Sequence, residues 1–390
     1  MAKRRSGGVN GDRTATRRRR HLYLVVDDWL WGYSIRKVDL SSDPCSDEPP
    51  HLHNTAISGE GAEREQRLPP AVFRLEAHRG YPDYFAAAFG TKIIAMDPNY
   101  VGVGGRNTHP LTPSCGAPVF DVRTRLFGLV PRPKMNLINP IYFSVDKRLY
   151  ALSCNSFQLL QTPPLEEPGD LCWCELPKYP FKHKDITSYT VHPDGRTIFV
   201  STKRRTFTFD TAEAHLKWKQ HGKWMLPFTD RAYFDSELDA WVGLSADPGA
   251  AGHICACDVV SSSSDSSDGQ CLSWKLSKEK IFSEDSVEKH VGATLIYMGD
   301  RSKFCLVQCV SITGDDCADE RNFYRLQDEE DEDLDETDQP CRHLFRVTTF
   351  SLKFDKDGHL TTGNSRRVRY YKVPEAASDF ALEDPVAFWM

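Results

Sequence analysis

A short β-rich run that follows a tight polar turn recurs along this chain at intervals of forty to sixty-odd residues. If Ile94, Tyr150, Phe199, Trp241 and Cys305 are equivalent positions, the gaps between them are 56, 49, 42 and 64 residues. A period of this size is typical of the four-stranded blades of a β-propeller. The spacing therefore predicts an all-β propeller of about six blades, with five or seven blades also compatible. A β-sandwich followed by a second β-domain is the alternative fold.

Turn residues between the apolar runs predict how neighbouring strands connect. Asp146-Lys147 and the tetrad His192-Pro193-Asp194-Gly195 each separate two β-rich runs, as in a β-hairpin. The run Val368–Val373 is expected to return beside the N-terminal strands and close the ring. Helices should be nearly absent, and Ala212–Gln220 is the best candidate for a short one.

Low-complexity segments set the expected domain limits. Residues 1–20 contain almost no apolar side chain and are predicted to form a disordered basic arm. Residues 21–390 are then a single propeller domain. Three polar or charged stretches inside it are predicted to be disordered loops: 41–70, 261–270 and 311–340.

Several bulk properties bear on the cellular compartment. No apolar run approaches the ~20 residues that a membrane-spanning helix needs. The basic N-terminus lacks the apolar stretch of a secretory signal. Twelve cysteines are scattered through a long chain, which favours reduced thiols in strands over a disulfide framework. We expect a protein that is not secreted and that is nuclear, cytoplasmic or both.

The charge is distributed unevenly along the chain. The net charge is −6, yet residues 1–20 carry eight basic side chains and one acidic one, which leaves −13 for the rest. Nine of these negative charges lie in the acidic run Asp328–Asp338. Such a body repels phosphates, so nucleic-acid binding is not expected outside the arm. The acidic run could bind a basic partner, contact the protein's own arm, or be a solvent-exposed loop without a partner.

The arm carries the sharpest local motif, two basic clusters separated by eleven residues. This spacing suits a bipartite nuclear import signal, which would make an import receptor a partner. An RNA-contacting arm, a transit peptide and a solvated tail without a role are the other interpretations. The residues of the predicted import signal are Lys3, Arg4, Arg5, Arg17, Arg18, Arg19 and Arg20.

Motifs for catalysis or metal binding are missing from the sequence. It has no Gly-x-Ser-x-Gly, His-Glu-x-x-His or Cys-x-x-Cys pattern. Cys172 and Cys174 would lie roughly 6.6–6.8 Å apart at Cα on a strand, whereas sulfurs that share zinc lie under ~4 Å apart. We therefore predict core cysteines, no metal, no cofactor and no catalytic residue. Asp97, Asp210 and Asp239 are expected to cap turns.

Four segments, taken in order, resemble a known family. They are Asp194–Ser201, Thr206–Thr211, His221–Phe228 and Glu237–Leu244. Together they resemble domain-of-unknown-function family 1618, a set of plant proteins greatly expanded in grasses, and the resemblance spans about residues 84–310. It implies a kelch-like or F-box-associated propeller and brings no catalytic residues with it.

These features predict a non-enzymatic scaffold that binds proteins through loops at one mouth of the ring. The protein partners themselves are unknown. An enzyme with scattered Asp and His residues converging on a central channel is the alternative, as is RNA binding through the arm. Carboxylates and histidines around a deep channel would favour the enzyme, and an apolar or plugged channel would favour the scaffold.

Overall fold

The computed structural model describes ten stretches of the 390-residue chain, from residue 20 to residue 390. They are residues 20–29, 32–40, 65–76, 84–96, 116–133, 137–161, 171–261, 272–312, 342–374 and 377–390. Almost all regular structure within them is β-strand. The predicted all-β class is confirmed.

The first twelve strands are β1 Leu22–Trp29, β2 Gly32–Val38, β3 Glu65–Arg67, β4 Ala71–Glu76, β5 Tyr84–Ala88, β6 Lys92–Met96, β7 Ala117–Asp121, β8 Phe127–Val130, β9 Ile141–Val145, β10 Arg148–Leu152, β11 Phe157–Gln161 and β12 Cys172–Glu175. The others are β13 Ile186–Val191, β14 Thr197–Thr202, β15 Thr206–Asp210, β16 Trp218–Gly222, β17 Phe228–Asp235, β18 Ala240–Ser245, β19 His253–Asp258, β20 Trp274–Lys280, β21 Glu288–Tyr297, β22 Lys303–Ile312, β23 Arg342–Ser351, β24 Lys353–Phe354, β25 Leu360–Thr361, β26 Arg367–Lys372 and β27 Val386–Trp389. One short helix, α1, spans Asp379–Glu383, and single 3-10 turns lie at His183–Asp185 and Pro248–Ala250.

Neighbouring strands form antiparallel groups of four, which we number as units I to VI. Unit I has the order β27-β1-β2-β4, unit II is β5-β6-β7-β8, and unit III is β9-β10-β11-β12. Units IV (β13 to β16) and V (β17 to β20) lie in one larger sheet because β13 and β17 pair in parallel. Unit VI is β21-β22-β23-β26, and β3 extends it at the outer edge.

The recurring run identified in the sequence is the second strand of units II to VI. Ile94, Tyr150, Phe199, Trp241 and Cys305 lie on β6, β10, β14, β18 and β22, and each is buried. These strands lie inside their sheets and are covered on both faces, which explains why their sequences are almost continuously apolar rather than alternating. The alignment of the repeats is therefore confirmed.

Six apolar clusters pack the faces of successive units against one another. The clusters join unit I to II, II to III, III to IV, IV to V, V to VI, and VI to I. Alternate residues of one strand serve opposite clusters: on β1, Leu24 packs toward unit VI and Val25 toward unit II. This period of two follows from the pleat. The blade count and the closed ring stay predictions.

The prediction that Val368–Val373 pairs with the N-terminal strands is wrong. The run Val368–Val373 forms β26 and its following residue, and β26 pairs with β23 and β3 rather than with the N-terminal strands. The strand beside β1 is β27, whose residues Val386–Trp389 pair antiparallel with β1. Both segments have β-rich sequences, so the sequence alone does not show which of them pairs with β1.

Other local predictions have mixed outcomes. Asp146 and Lys147 have φ of 44° and 58°, the left-handed pair of a type I′ hairpin, so the predicted turn is confirmed. Ala212–Gln220 contains no helix, and its last residues belong to β16, where Trp218 pairs with Phe209. The predicted loop 41–70 includes the strand β3 at Glu65–Arg67.

Some predicted segments lie outside the described residues. They include the arm up to residue 19, the acidic run Asp328–Asp338, Asp97, and most of the predicted loops. Within the described stretches, no helix has the length and apolar character to cross a membrane.

Candidate functional site

The strongest exposed apolar feature in the described residues lies at the outer edge of unit II. Leu126, Phe127 and Leu129 are 68%, 53% and 57% exposed. They belong to the segment Leu126–Val130, which we call the β8 edge. Isolated exposed apolar residues are ordinary, but a contiguous group on a strand at the end of a sheet indicates a contact surface.

The register of β7 and β8 shows which backbone groups of the β8 edge point outward. The N–H of Asp121 donates to the carbonyl of Leu126 at 3.0 Å, and Phe120 lies opposite Phe127. Antiparallel pairs alternate between bonded and non-bonded, so Gly128 and Val130 bond to β7 while Phe127 and Leu129 do not. Pro118, which has no N–H, lies opposite Leu129. The N–H and C=O groups of Phe127 and Leu129 therefore face away from the sheet.

A narrow apolar cleft between unit I and the inner strands of unit II lies next to the β8 edge. Phe73 of β4 stacks on Phe120 at 4.7 Å between ring centroids and on Phe127 at 5.7 Å. The cleft has a volume of about 20 Å³, and Leu75 and Pro118 are among its lining residues. Phe120 is buried beneath this stack, whereas Phe127 and Leu129 are exposed, so the apolar surface continues outward from the cleft as a strip along β8.

The turn between β7 and β8 gives this strip a positive end. Asp121 Oδ1 accepts hydrogen bonds from the N–H groups of Arg123 (2.9 Å) and Thr124 (3.1 Å), and Oδ2 accepts from the Thr91 hydroxyl. Burial alone would raise the pKa of Asp121, but these hydrogen bonds outweigh it and lower the pKa. The carboxylate is thus occupied by the turn, while Arg123 and Arg125 remain exposed.

A cavity of about 320 Å³ lies among the first strands of units III to VI. Most of its lining is aromatic or apolar, and Arg231 projects into it. The Arg231 guanidinium donates to the backbone carbonyl of Tyr142 and lies over the rings of Tyr189 (5.6 Å) and Tyr233 (5.9 Å). Burial raises the pKa of Tyr189 to about 12, so its hydroxyl stays protonated at neutral pH.

Two carboxyl groups lie close enough to this region to influence it. Asp230 precedes Arg231 and has φ of 59°, a strained backbone for a non-glycine residue. Its side chain is reached by solvent but surrounded by protein, and this desolvation raises its pKa. Desolvation also raises the pKa of Asp384, and the charge of Asp230 adds to that effect.

A histidine, His192, also lines the cavity. Its ring nitrogen Nε2 lies 3.1 Å from the Val260 carbonyl and is therefore already in a hydrogen bond.

Comparisons with known proteins place the chain in a family. A family model described as a protein of unknown function (DUF1668) matches residues 19–371. This chain belongs to that family. The predicted resemblance to family 1618 is not confirmed by this match. It was drawn from residues 84–310, and the model extends well beyond that range on both sides.

Other comparisons add little to the DUF1668 assignment. A search of curated proteins finds no match. Among solved structures, the chain aligns with a putative 6-phosphogluconolactonase from Bacteroides uniformis ATCC 8492 at 10% identity and a TM-score of 0.38, over 95% of this chain and 99% of that one. A likeness at this level carries no argument about the present protein.

The described part of this DUF1668 protein contains one group of three potential metal ligands, at Asp355, Asp357 and His359. Asp355 Oδ2 accepts from Lys278 Nζ at 2.6 Å, and Oδ1 accepts from the N–H groups of His359 (2.8 Å) and Asp357 (3.0 Å). These bonds, the Lys278 bond first, hold the pKa of Asp355 below its usual range. Asp355 thus caps the turn that contains Asp357 and His359 and is paired with Lys278.

The cysteines of the described residues are free thiols, and most of those flagged in the sequence are core residues. Cys255, Cys257, Cys305 and Cys309 are buried. Cys172 and Cys174 are half-buried with their sulfurs 3.8 Å apart, so their side chains lean together more than the strand spacing alone suggests. No third ligand accompanies this pair in the described residues.

Only one predicted site residue lies within the described chain. Arg20 is exposed and directly precedes the backbone pairing of His21, whereas Lys3, Arg4, Arg5, Arg17, Arg18 and Arg19 lie outside the described residues. Of the predicted turn caps, Asp210 accepts from the N–H of Ala212 at 2.9 Å. The predicted cap at Asp239 is wrong: at the β17–β18 turn the cap is Asp235, which accepts from the N–H groups of Glu237 and Leu238.

The sequence predicts a strand at Leu126–Val130 in the same unit as Phe85–Met96 and Pro118–Val122, and the structure confirms it, but the sequence reasoning missed that this strand is an exposed outer edge. Phe127-Gly128-Leu129-Val130 is a short apolar run, the pattern of a strand covered on both faces. One signal was present: Arg123 and Arg125 precede the run and Pro131 and Pro133 follow it, and a proline-flanked strand belongs at the edge of a sheet.

Proposed function

We propose that this DUF1668 protein is a non-enzymatic protein-binding scaffold built on a closed six-bladed β-propeller. The ring is supported by the six clusters, of which the last packs unit VI against unit I. It is also supported by unit I itself, where β27 from the end of the chain completes the sheet begun by β1. Pairing of the two ends within one blade is a known way to close a propeller without a free edge at the seam.

The observation that carries the binding role is the β8 edge. It combines exposed apolar side chains, outward backbone groups and two arginines, the residue types and geometry of a protein contact surface. The surface is held by a rigid sheet, so binding there costs little ordering of the scaffold. The central cavity supports the same role, because its walls are mostly aromatic or apolar and its arginine is already bonded.

Affinity capture with three versions of the full chain tests the proposal. One version carries Leu126→Ser, Phe127→Ser and Leu129→Ser. Its matched control carries Ile138→Ser, Met225→Ser and Val287→Ser, which remove three exposed apolar side chains of 49%, 46% and 48% exposure elsewhere. We expect proteins captured by the unaltered chain and the control to be lost from the β8 variant. Binding of each captured protein is then measured with purified components.

The outcome that contradicts the proposal is an identical set of partners for all three versions. A chain starting at His21 provides a further comparison. Partners that it retains do not depend on the basic arm, and partners that it loses belong to the arm.

A second candidate function is catalysis in the central cavity, which the positive φ of Asp230 and the proximity of Asp384 favour. Strained residues and carboxyls of raised pKa cluster at active sites. Incubation of the purified chain with a metabolite extract tests it. Conversion of a compound that is lost in Asp230→Asn and Asp384→Asn, but kept in the β8 variant, would support this candidate over the scaffold.

A further inference from the structure

We propose that the β8 edge binds an extended segment of a partner protein as a fifth strand of unit II. The inference rests on the proposed scaffold function and names the class of partner: a strand-forming peptide with apolar residues at alternate positions and acidic residues at one end. Three independent features of the edge point to this class.

The backbone supplies the first feature. Phe127 and Leu129 each direct an N–H donor and a C=O acceptor away from β7, and no strand lies beyond β8 in the described residues. Two residues along a strand span about 6.6–6.8 Å, so the two positions match alternate residues of an added strand. Such a strand would bond to both without disturbing the β7–β8 ladder.

A comparison of outer strands supplies the second feature. Edge strands are normally protected by charged residues or proline within the strand. The outer strand β4 contains Arg74 and Glu76, β12 contains Glu175, and β16 contains Lys219. The four residues of β8 include no charge and no proline. Unit II is therefore the unit whose outer edge least resists the addition of another strand.

The side chains of the strip define what the added strand must carry. Phe127 and Leu129 lie on the face that turns toward Phe73, so every second residue of the added strand would meet this apolar strip. Apolar residues at those positions would cover it. The intervening residues would face the opposite side, near Leu126.

Charge supplies the third feature and sets the direction. Arg123 and Arg125 lie in the turn at one end of β8, and the carboxylate of Asp121 in that turn is already bonded to backbone N–H groups. Two exposed guanidinium groups at one end favour Asp or Glu at the adjacent end of the peptide. A peptide with Lys or Arg there would be repelled.

A displayed library of random heptapeptides, selected on the full-length chain, tests the proposal. We expect the enriched peptides to alternate apolar residues and to carry Asp or Glu at one end. The best peptide is then synthesised unmodified and N-methylated at two alternate amides. When the methylated amides are the alternate set that faces β8, the peptide keeps its side chains but cannot donate to the Phe127 and Leu129 carbonyls, so we expect its affinity to fall at least about tenfold. Methylation of the other alternate set, which faces away from β8, is the control.

Variants of the chain provide the complementary test. Leu129→Pro removes the outward N–H and leaves the ladder intact, because that N–H makes no bond to β7 and Gly128 tolerates a following proline. Leu129→Thr keeps the N–H and removes apolar surface. We expect a larger loss of affinity from Leu129→Pro than from Leu129→Thr. Arg123→Ser with Arg125→Gly should weaken the binding of acidic peptides and reduce its dependence on salt concentration.

Hydrogen exchange gives a readout that does not depend on substitution. Bound peptide should slow the exchange of the Phe127 and Leu129 amides and leave that of Gly128, already bonded to β7, nearly unchanged. Peptides that bind equally to Leu129→Pro and when N-methylated, yet are lost in Phe127→Ser, would overturn strand addition while the docking surface stands. Protein partners that need the β8 edge, with no peptide enriched on it, would also overturn strand addition alone. If no peptide is enriched on the β8 edge and no protein partner depends on it, both strand addition and the proposed function are overturned.

Discussion

His21 and Met390 exchange both backbone hydrogen bonds, with N···O distances of 2.6 and 3.0 Å, so residues from the two ends of this chain form one bonded pair of a sheet. The pairing continues through Leu22 opposite Trp389 and Leu24 opposite Ala387. Unit I therefore depends on a strand that is more than 350 residues away from its neighbour. In a closed ring, this sheet is the seam.

Removal of residues 386–390 should destabilise the whole fold rather than fray one end. The deletion exposes the clusters on both sides of unit I, since Trp389 packs in one and Phe388 in the other. At about 1.5–3 kcal/mol for a large apolar side chain buried in full, and less here because burial is partial, we expect a loss of several kcal/mol. Urea unfolding followed by tryptophan fluorescence measures it.

Phe388→Leu serves as the control for this deletion, because it keeps the backbone pairing and should cost only about 1 kcal/mol. Equal unfolding midpoints for the deletion and the unaltered chain would mean that β27 does not contribute to the fold.

The pairing of β1 with β27 shows the limit of sequence reasoning about the fold. The second strands of units II to VI were identifiable because burial on both faces forces an apolar run such as Ile198-Phe199-Val200. The partner of β1 was not, since Val368–Val373 and Val386–Trp389 both have strand-forming sequences. Local pattern predicts a strand, whereas its neighbour is chosen by contacts across the whole chain.

A similar limit applies to the candidate site. Leu129 and Leu159 both occur in short apolar runs, yet Leu129 is exposed and Leu159 is buried. The difference arises because β8 is an outer strand and β11 is an inner one. Sequence position carried that information only weakly, through the arginines before β8 and the prolines after it.

Lys147→Gly should stabilise the chain by about 0.5–1 kcal/mol. Lys147 has φ of 58° in the type I′ turn, a conformation that glycine adopts without the steric cost of a Cβ. Arg148→Gly is the matched control, because Arg148 lies one residue later within β10, where glycine should destabilise the strand. Thermal and urea unfolding of both variants measures the difference. A Lys147→Gly chain less stable than the original would argue against this turn geometry.

Stability should fall as the pH drops below about 6.5, the usual pKa of an unfolded histidine. Burial lowers the folded-state pKa of His183, His221 and His290, so the unfolded chain takes up protons that the folded chain excludes. Each such group adds up to about 1.4 kcal/mol of lost stability per pH unit between its unfolded and folded pKa values. Urea midpoints between pH 7.5 and 5 measure this loss.

His221→Phe should reduce this pH dependence and cost little stability at pH 7. The His221 ring is buried against Phe199 and Trp224, and neither ring nitrogen has a hydrogen-bond partner among the described residues. A phenyl ring needs no partner there. The exposed His215→Gln is the control and should leave the pH profile unchanged. An unaltered profile in His221→Phe would show that this ring is not the group responsible.

Buried thiols should be protected from alkylation in the native state. Burial raises the pKa of Cys257, Cys305 and Cys309 to about 12, so the reactive thiolate is scarce and the sulfur is covered. Iodoacetamide labelling at pH 8, read by peptide mass spectrometry, should modify these positions only after urea unfolding. The exposed Cys154 is the internal control and should be labelled first. Early labelling of Cys305 in native buffer would contradict the buried placement of β22.

Replacement of Arg17, Arg18, Arg19 and Arg20 by alanine should shift the protein from nucleus to cytoplasm if the two basic clusters act as a bipartite import signal. The reason is electrostatic: four guanidinium groups lost from one cluster remove half of a signal that needs both. The experiment follows a fluorescent fusion of the full chain. Lys203→Ala with Arg204→Ala, both exposed residues of the turn between β14 and β15, serves as a control for loss of positive charge elsewhere. Of the four substituted residues, Arg20 lies within the described chain, where it is exposed and directly precedes the His21–Met390 bonded pair without belonging to a strand, so its replacement should preserve folding. An unchanged partition would leave the arm as an RNA contact, a transit peptide or a solvated tail. Salt-sensitive RNA binding that is lost in the same variant would select the first of these.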